Sequence, residues 1–137
     1  MKSGIFVFDG TWEGMLTAVF DAFSMKLQPQ ELVRIGAQLP IFADTIHEVL
    51  TDSGHAGRVW KGLTAKLQSE ALAALTASFL SELEEMDMPI FRYIVKVFIS
   101  QSGIERDFTD PDMLSVFSTA RKVRGEKHRV LQFMRFQ

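Results

Sequence analysis

The chain has 137 residues, a net charge of −2 and no cysteine, with 47% hydrophobic and 23% charged residues. That length suits one domain spanning residues 1–137, and a core burying roughly 65–70% of the unfolded surface without disulfide or metal. The near-neutral charge excludes a whole-molecule attraction to nucleic acid, and the missing cysteines exclude disulfides, thiol nucleophiles and Cys-ligated metal centres. Twelve Phe against one Tyr points to aromatics packed in an apolar core.

The opening "MKSGIFVFDGTW" has an apolar run too short for a signal peptide, and no run approaches the roughly 20 residues of a membrane helix. A soluble, cytoplasmic protein without membrane contact is expected. "IFVF" reads as one short strand closed by Asp9-Gly10, a turn signal. Thr11 then N-caps a helix to about Met25, with Met15, Leu16, Val19, Phe20 and Phe23 as its buried stripe. Pro29 suits the first position of a short helix, "PQELVRIGAQL", which Pro40 ends. "IFADTIHEVLT" supports strand and helix about equally; we take a strand as far as Val49.

Asp52 or Ser53 caps a further helix, "GHAGRVWKGLTAKLQ", with Val59, Leu63 and Leu67 on one side. Ser69 opens another, rich in strong helix formers, and "EEMDMP" is an acidic junction. The helix beginning at Pro89, "PIFRYIVKVFISQ", is apolar nearly all round and should be central. "SGIERDFTDPDM" is a loop whose Asp110-Pro111 pair starts the last helix. That helix is predicted to reach about Leu131, with "FMRFQ" as the start of a strand that pairs with the first one.

Six of the fifteen Lys and Arg residues fall between Arg121 and Arg135, with Glu126 the one acid among them. At about 100° per residue, Val116, Ala120, Val123, Val130 and Met134 share one side, and Arg121, Arg124 and His128 project from the other. Glu126, Lys122 and Arg129 lie on a flank. Three readings stay open: a solvated face with ordinary helix electrostatics, a phosphate-contacting surface, or an acid–base strip using Glu126 or His128.

Elsewhere the candidates are sparser. His47, His55 and His128 fit no HxxxH or HExxH frame, and neither metal nor cofactor is expected. His47 reads as a packed histidine, and His55 as a solvated one in a first helical turn. "FDGTWEG" reads as a turn and a cap, with Asp9 projecting into a site as the functional alternative. "SGHAGRVWKG" lacks the spacing of a phosphate-binding P-loop. Arg58 and Lys61 in it can still reach phosphate, and Trp60 belongs either to core or interface, or to base stacking. No nucleophile–base arrangement stands out.

In that order, "FDGTWEGMLTAVFDAF", "TDSGHAGRVWKGL", "FRYI" and "DPDMLSVFSTARKVRGEKHRVLQFMRF" resemble the bacterial "probable DNA metabolism protein" family across essentially the whole chain. The matching positions are Asp9, Gly10, Gly14, Arg58, Arg92, Tyr93, Glu126, His128, Arg129, Phe133, Arg135 and Phe136. Gln132 departs from the glycine the family pattern would have there. The family is a domain of unknown function, often fused ahead of a uracil-DNA-glycosylase-like domain and found beside a radical-SAM protein. The resemblance therefore implies a DNA-repair context, DNA and those two proteins as partners, and family members that continue past "RF". No glycosylase motif is present.

The expected fold is thus α+β and mainly helical, with five or six helices and a minor sheet formed by the N- and C-terminal strands. The expected function is an accessory nucleic-acid-associated domain, not itself catalytic. It would contact phosphates through Arg121, Lys122, Arg124, His128 and Arg129, helped by Arg58 and Lys61. The alternatives are an interaction module that docks a partner through its terminal strand, Phe133 and Phe136, and a hydrolase built on Asp9, Glu126 and His128.

Overall fold

A computed structural model describes residues 4–39, 45–100 and 110–135, with side chains as far as Val123 in the last stretch. The chain forms two compact units, Met1–Ala65 and Lys66–Gln137. The architecture is mainly-α α+β, with five α-helices and one small sheet among the described residues.

In the first unit the apolar run becomes β1 (Gly4–Phe8), and α1 (Trp12–Met25) follows after a three-residue turn. The strands β2 (Pro29–Arg34) and β3 (Thr45–Glu48) flank β1 in the order β2-β1-β3, both parallel to it. A central parallel strand is covered on both faces and so reads as an unbroken apolar run; Ile5, Phe6 and Phe8 are buried. The ladder continues past the strand ends, where Ile35 N–H donates to Phe8 O at 2.8 Å and Val49 N–H to Val7 O at 2.7 Å.

Two expectations about the sheet are corrected here. "PQELVR" is a strand and not a helix. Its Gln, Glu, Leu and Arg favour helix locally, but β1 needs a ladder partner on each side, and a leading Pro is tolerated at the first position of an edge strand. The sheet also contains no C-terminal strand, because the last helix continues through "FMR" to Arg135. Nothing after Gly125 breaks the helical pattern, and one internal Gly costs only about 1 kcal/mol. Phe136 and Gln137 lie outside the described residues.

Residues paired across parallel strands share a face. Phe6, Leu32 and His47 therefore line up, and α1 lies on their side. His47 approaches Asp21 of α1 with Nε2 2.8 Å from Oδ2 and sets its ring edge-on to Phe6 at 4.9 Å; it is the packed histidine expected. Met15, Leu16 and Val19 of α1 are buried, whereas Phe23 is 45% exposed near the C-terminal end of the helix. The helix α2 (Ser53–Lys66) buries Ala56, Val59 and Leu63.

The second unit holds α3 (Ser69–Leu80), a 3-10 turn (Glu84–Met86), α4 (Asp87–Ile99) and α5 (Pro111–Arg135). The helix α5 packs against both α3 and α4, and its Met113, Val116 and Ala120 are buried. As its sequence predicts, α4 is largely buried, with Ile90, Phe91, Ile94 and Val97 among its core residues. Asp110 caps α5 by accepting from Met113 N–H at 2.8 Å.

The start of α5 is fastened to α4 by charge. Arg92 reaches both carboxylate oxygens of Asp112, at 3.0 and 3.1 Å from Nε. Lys96 Nζ bridges Asp110 at 2.5 Å and Asp112 at 2.8 Å. Burial pushes the Asp112 carboxyl up, but hydrogen bonds and charge from Arg92 and Lys96 outweigh it and hold the pKa below its ordinary value. Lys96 is held above its ordinary value by the same two acids, against a burial effect of opposite sign.

A carboxyl with a depressed folded pKa contributes stability that is present above its unfolded value, about 3.9, and lost as pH falls through the folded value. Acid titration of thermal stability should therefore show a loss below about pH 4 that Asp112→Asn reduces. Asp112→Ala is expected to cost roughly 1–3 kcal/mol at neutral pH, since it leaves two partly exposed cations without their shared partner.

Candidate functional site

The carboxyl ends of parallel strands are where open α/β sheets bind ligands, most often where consecutive connections leave the sheet in opposite directions. Here β1 leads through α1 to β2 on one side, while β3 lies on the other side of β1. The turn after β1 and the segment after β3 therefore meet at such a point, and Asp9 occupies it.

Its geometry is that of a clamp. Gly10, at φ 83°, turns the chain in a left-handed conformation that glycine adopts without cost. Asp9 Oδ1 then accepts from Thr11 N–H at 2.9 Å and from the Thr11 hydroxyl. Thr11 Oγ1 caps α1 by accepting from Gly14 N–H at 2.9 Å. The other carboxylate oxygen accepts from the Thr51 hydroxyl at 2.7 Å, which ties the segment after β3 to the turn after β1. Burial raises the Asp9 carboxyl, while the hydrogen bonds from Thr11 and Thr51 lower it further, and the net shift is downward. A carboxylate so engaged is a structural anion at the N-terminal end of α1.

The same region joins α1 to α2. Asp52 caps α2, its Oδ1 accepting from His55 N–H at 3.0 Å, and that hydrogen bond lowers the Asp52 pKa. Thr17 Oγ1 accepts from Asp52 N–H at 3.2 Å. His55 lies in the first turn of α2 as predicted, but it is half-buried and stacks on Phe20, with centroids 3.8 Å apart and planes within 8°. Trp12 and Trp60 meet edge-to-face at 6.3 Å.

Beyond that joint, α2 turns a different surface outward. Gly54, Gly57, Arg58, Trp60, Lys61 and Ala65 are all exposed. The helix contains no acid, and among the described residues none pairs with Arg58 or Lys61. A β-carbon at Gly57 would meet nothing within 4 Å, so the backbone there is open to a ligand. Neither His47 nor His55 belongs to this face, and among the described residues no group of three or more His, Asp or Glu is placed to hold a metal ion.

On α5, Arg121 and Lys122 are exposed while Val116 and Ala120 are buried. The side chains of Arg124, Glu126, His128 and Arg129 lie outside the described residues, as does that of Phe133. Asp9 belongs to the first unit and Glu126 and His128 to the second. The Asp9–Thr51 bridge went unforeseen: the two residues stand 42 positions apart, and only the parallel pairing of β1 and β3 brings them together. Arg92, a position matched in the resemblance, turns out to be a partner of Asp112.

Residues 84–137, which hold the 3-10 turn, α4 and α5, match the family model described as a domain of unknown function, DUF4130. No curated protein and no solved structure matches the chain. Among the described residues no helix is long and apolar enough to cross a membrane.

The clamp has a steric consequence. A β-carbon on Gly14 would collide with the Asp9 carboxylate and crowd the Thr11 hydroxyl. Gly14→Ala should therefore lower the thermal midpoint, although alanine is the better helix former. Thr51→Val, which removes one hydrogen bond, should cost about 0.5–1.5 kcal/mol in a denaturant titration.

Proposed function

We propose that this chain is an accessory nucleic-acid-associated domain in DNA metabolism, contacting the phosphate backbone through exposed basic helix faces. The observation that carries the proposal is the outer face of α2. There Arg58 and Lys61 stand exposed beside the open backbone of Gly57, with no acid on the helix. Arg92 and Lys96, by contrast, hold Asp112, and Arg34 lies 5.9 Å from the Phe8 ring centroid. Cations left in water on a surface of mixed charge are what phosphate contacts use, because neutralising a phosphate releases its condensed counterions. Arg121 and Lys122 of α5 add a second exposed basic pair. The DNA context is supported by the resemblance of the four motifs, Arg58 being one of the matching positions.

A second reading keeps one observation of its own. Leu80 and Leu83, at the end of α3 and just beyond it, are 67% and 45% exposed, and exposed apolar side chains close together suit a partner's surface. On this reading the chain docks a DNA-modifying protein, such as the glycosylase-like or radical-SAM proteins the resemblance implies. Docking through a C-terminal strand is not part of it, since "FMR" is helical.

Binding of short DNA to the full chain, measured by anisotropy over a salt series, tests the proposal. Affinity should fall steeply with salt. Reversing Arg58 and Lys61 to Glu should weaken binding and reduce the slope of log K against log salt by about 1.4–1.8, for two lost phosphate contacts. Binding indifferent to both reversals, there and at Arg121 and Lys122, would exclude it. Gly57→Ala gives an independent measure: it should stabilise the protein by roughly 0.5–1 kcal/mol and weaken DNA binding, because the new methyl sits where the backbone is approached.

A further inference from the structure

Trp60 is the feature of α2 that phosphate binding alone leaves unexplained. Apolar side chains of the helix are buried where they can be: Ala56, Val59 and Leu63 face inward. Trp60 is 36% exposed instead. Its one described ring contact is Trp12, whose plane is inclined at 81° to its own. A perpendicular neighbour covers at most one face of a ring and steadies it without enclosing it.

The position of Trp60 relative to the cations follows from helix geometry. At about 100° per residue, Trp60, Gly57, Lys61 and Arg58 succeed one another around about 160° of the circumference. Gly57 falls between Trp60 and Lys61, as does the exposed Thr64 one turn further on, whose hydroxyl is turned to the Lys61 carbonyl. The face is therefore aromatic at one margin, basic at the other, and carries only small side chains in the middle.

That order of chemistries matches a nucleic-acid strand whose bases are unstacked. Binding grooves for single strands pair cations on the backbone with aromatic rings on which bases lie flat. A duplex offers its phosphates and base edges, but its base faces are covered by their neighbours. Edge readout also draws on Asn and Gln beside Arg, and α2 has neither amide. Resting on the phosphate reading above, we propose that the outer face of α2 binds single-stranded nucleic acid, with one unpaired base stacked on Trp60 and the adjoining phosphates on Lys61 and Arg58.

Three ligands of equal length separate the possibilities when titrated against the full chain at low salt: a thymidine oligomer, a duplex, and an abasic oligodeoxynucleotide that keeps the phosphates without the bases. The thymidine oligomer should bind tightest. Trp60→Ala should weaken it about 5- to 100-fold, the range for one lost base stack, and leave the abasic strand unaffected. Trp60→Phe should restore most of the loss. Trp12 and Trp60 are the two tryptophans, so in a Trp12→Phe chain the emission belongs to Trp60; the thymidine oligomer should quench it and the abasic strand should not.

Equal affinity for duplex and single strand, no effect of Trp60→Ala, or no quenching would overturn the stacking proposal. Any of these outcomes leaves the phosphate reading standing if Arg58→Glu with Lys61→Glu still weakens binding. If that double reversal changes nothing, this proposal is overturned; if no ligand binds, or if the reversal at Arg121 and Lys122 changes nothing either, the phosphate reading fails with it. Displacement of the thymidine oligomer by polyglutamate at equal charge would overturn it in favour of an acidic protein surface.

Discussion

Everything in the first unit is arranged around β1, a strand with a neighbour on each side. Its five residues are apolar or glycine, and each backbone N–H and C=O removed from water must find a partner in an adjacent strand. That requirement recruits β2 and β3 to opposite sides, and both run parallel to β1. It also brings the chain that leaves β1 next to the chain that leaves β3. The Asp9 clamp follows from this: its carboxylate binds Thr11 in its own turn and Thr51 in the neighbouring one. Gly10 makes the turn possible, and Gly14 leaves room for the carboxylate against the first turn of α1.

Charge is used in two different ways across the molecule. In the second unit Asp110 and Asp112 are buried, and Arg92 and Lys96 satisfy them. An unpaired carboxylate in that position would be costly, so these four residues are explained by the packing of α4 against α5. Asp9 and Asp52 are likewise committed to the starts of α1 and α2. Among the described residues Arg58 and Lys61 have no such partner. Their position on the outer face of a helix without acids gives them a potential that no described residue cancels, which is the physical basis for assigning them to a ligand.

The contrast also separates what α2 contributes from what the carboxyl edge of the sheet contributes. That edge is where a parallel sheet places ligands, yet here its Asp9 is engaged by Thr11 and Thr51 and serves to join the turn after β1 to the segment after β3. The joint in turn fixes α2: Asp52 is bound to Thr17, His55 is stacked on Phe20, and Trp60 is braced by Trp12. A helix anchored at its inner face can hold Trp60, Lys61 and Arg58 in a constant relation, and constancy reduces the entropy lost when a flexible strand is captured.

Much of this was legible in the chain, and the limits are physical. Capping and turn chemistry is local, so Thr11, Asp52 and Asp110 announced the starts of three helices, and period 3.6 marked the buried residues of α2, those of α1 as far as Val19 and those of α5 as far as Ala120. β1 was legible because a doubly covered strand is continuously apolar. β2 was not: its side chains favour helix, and the ladder that overrides them is made with residues more than twenty positions away. The reach of α5 through "FMR" was missed because alternating aromatic and basic residues suit strand as well as helix. Composition and local pattern thus determined the mainly helical class, the helix starts and the basic character of α2 and α5. Only the tertiary structure decided that Asp9 is a clamp, that Arg92 is spent on Asp112, and that Arg58, Lys61 and Trp60 face outward. Those outcomes depend on which distant groups come within hydrogen-bonding or packing distance, and pairing at that range is set by the fold as a whole.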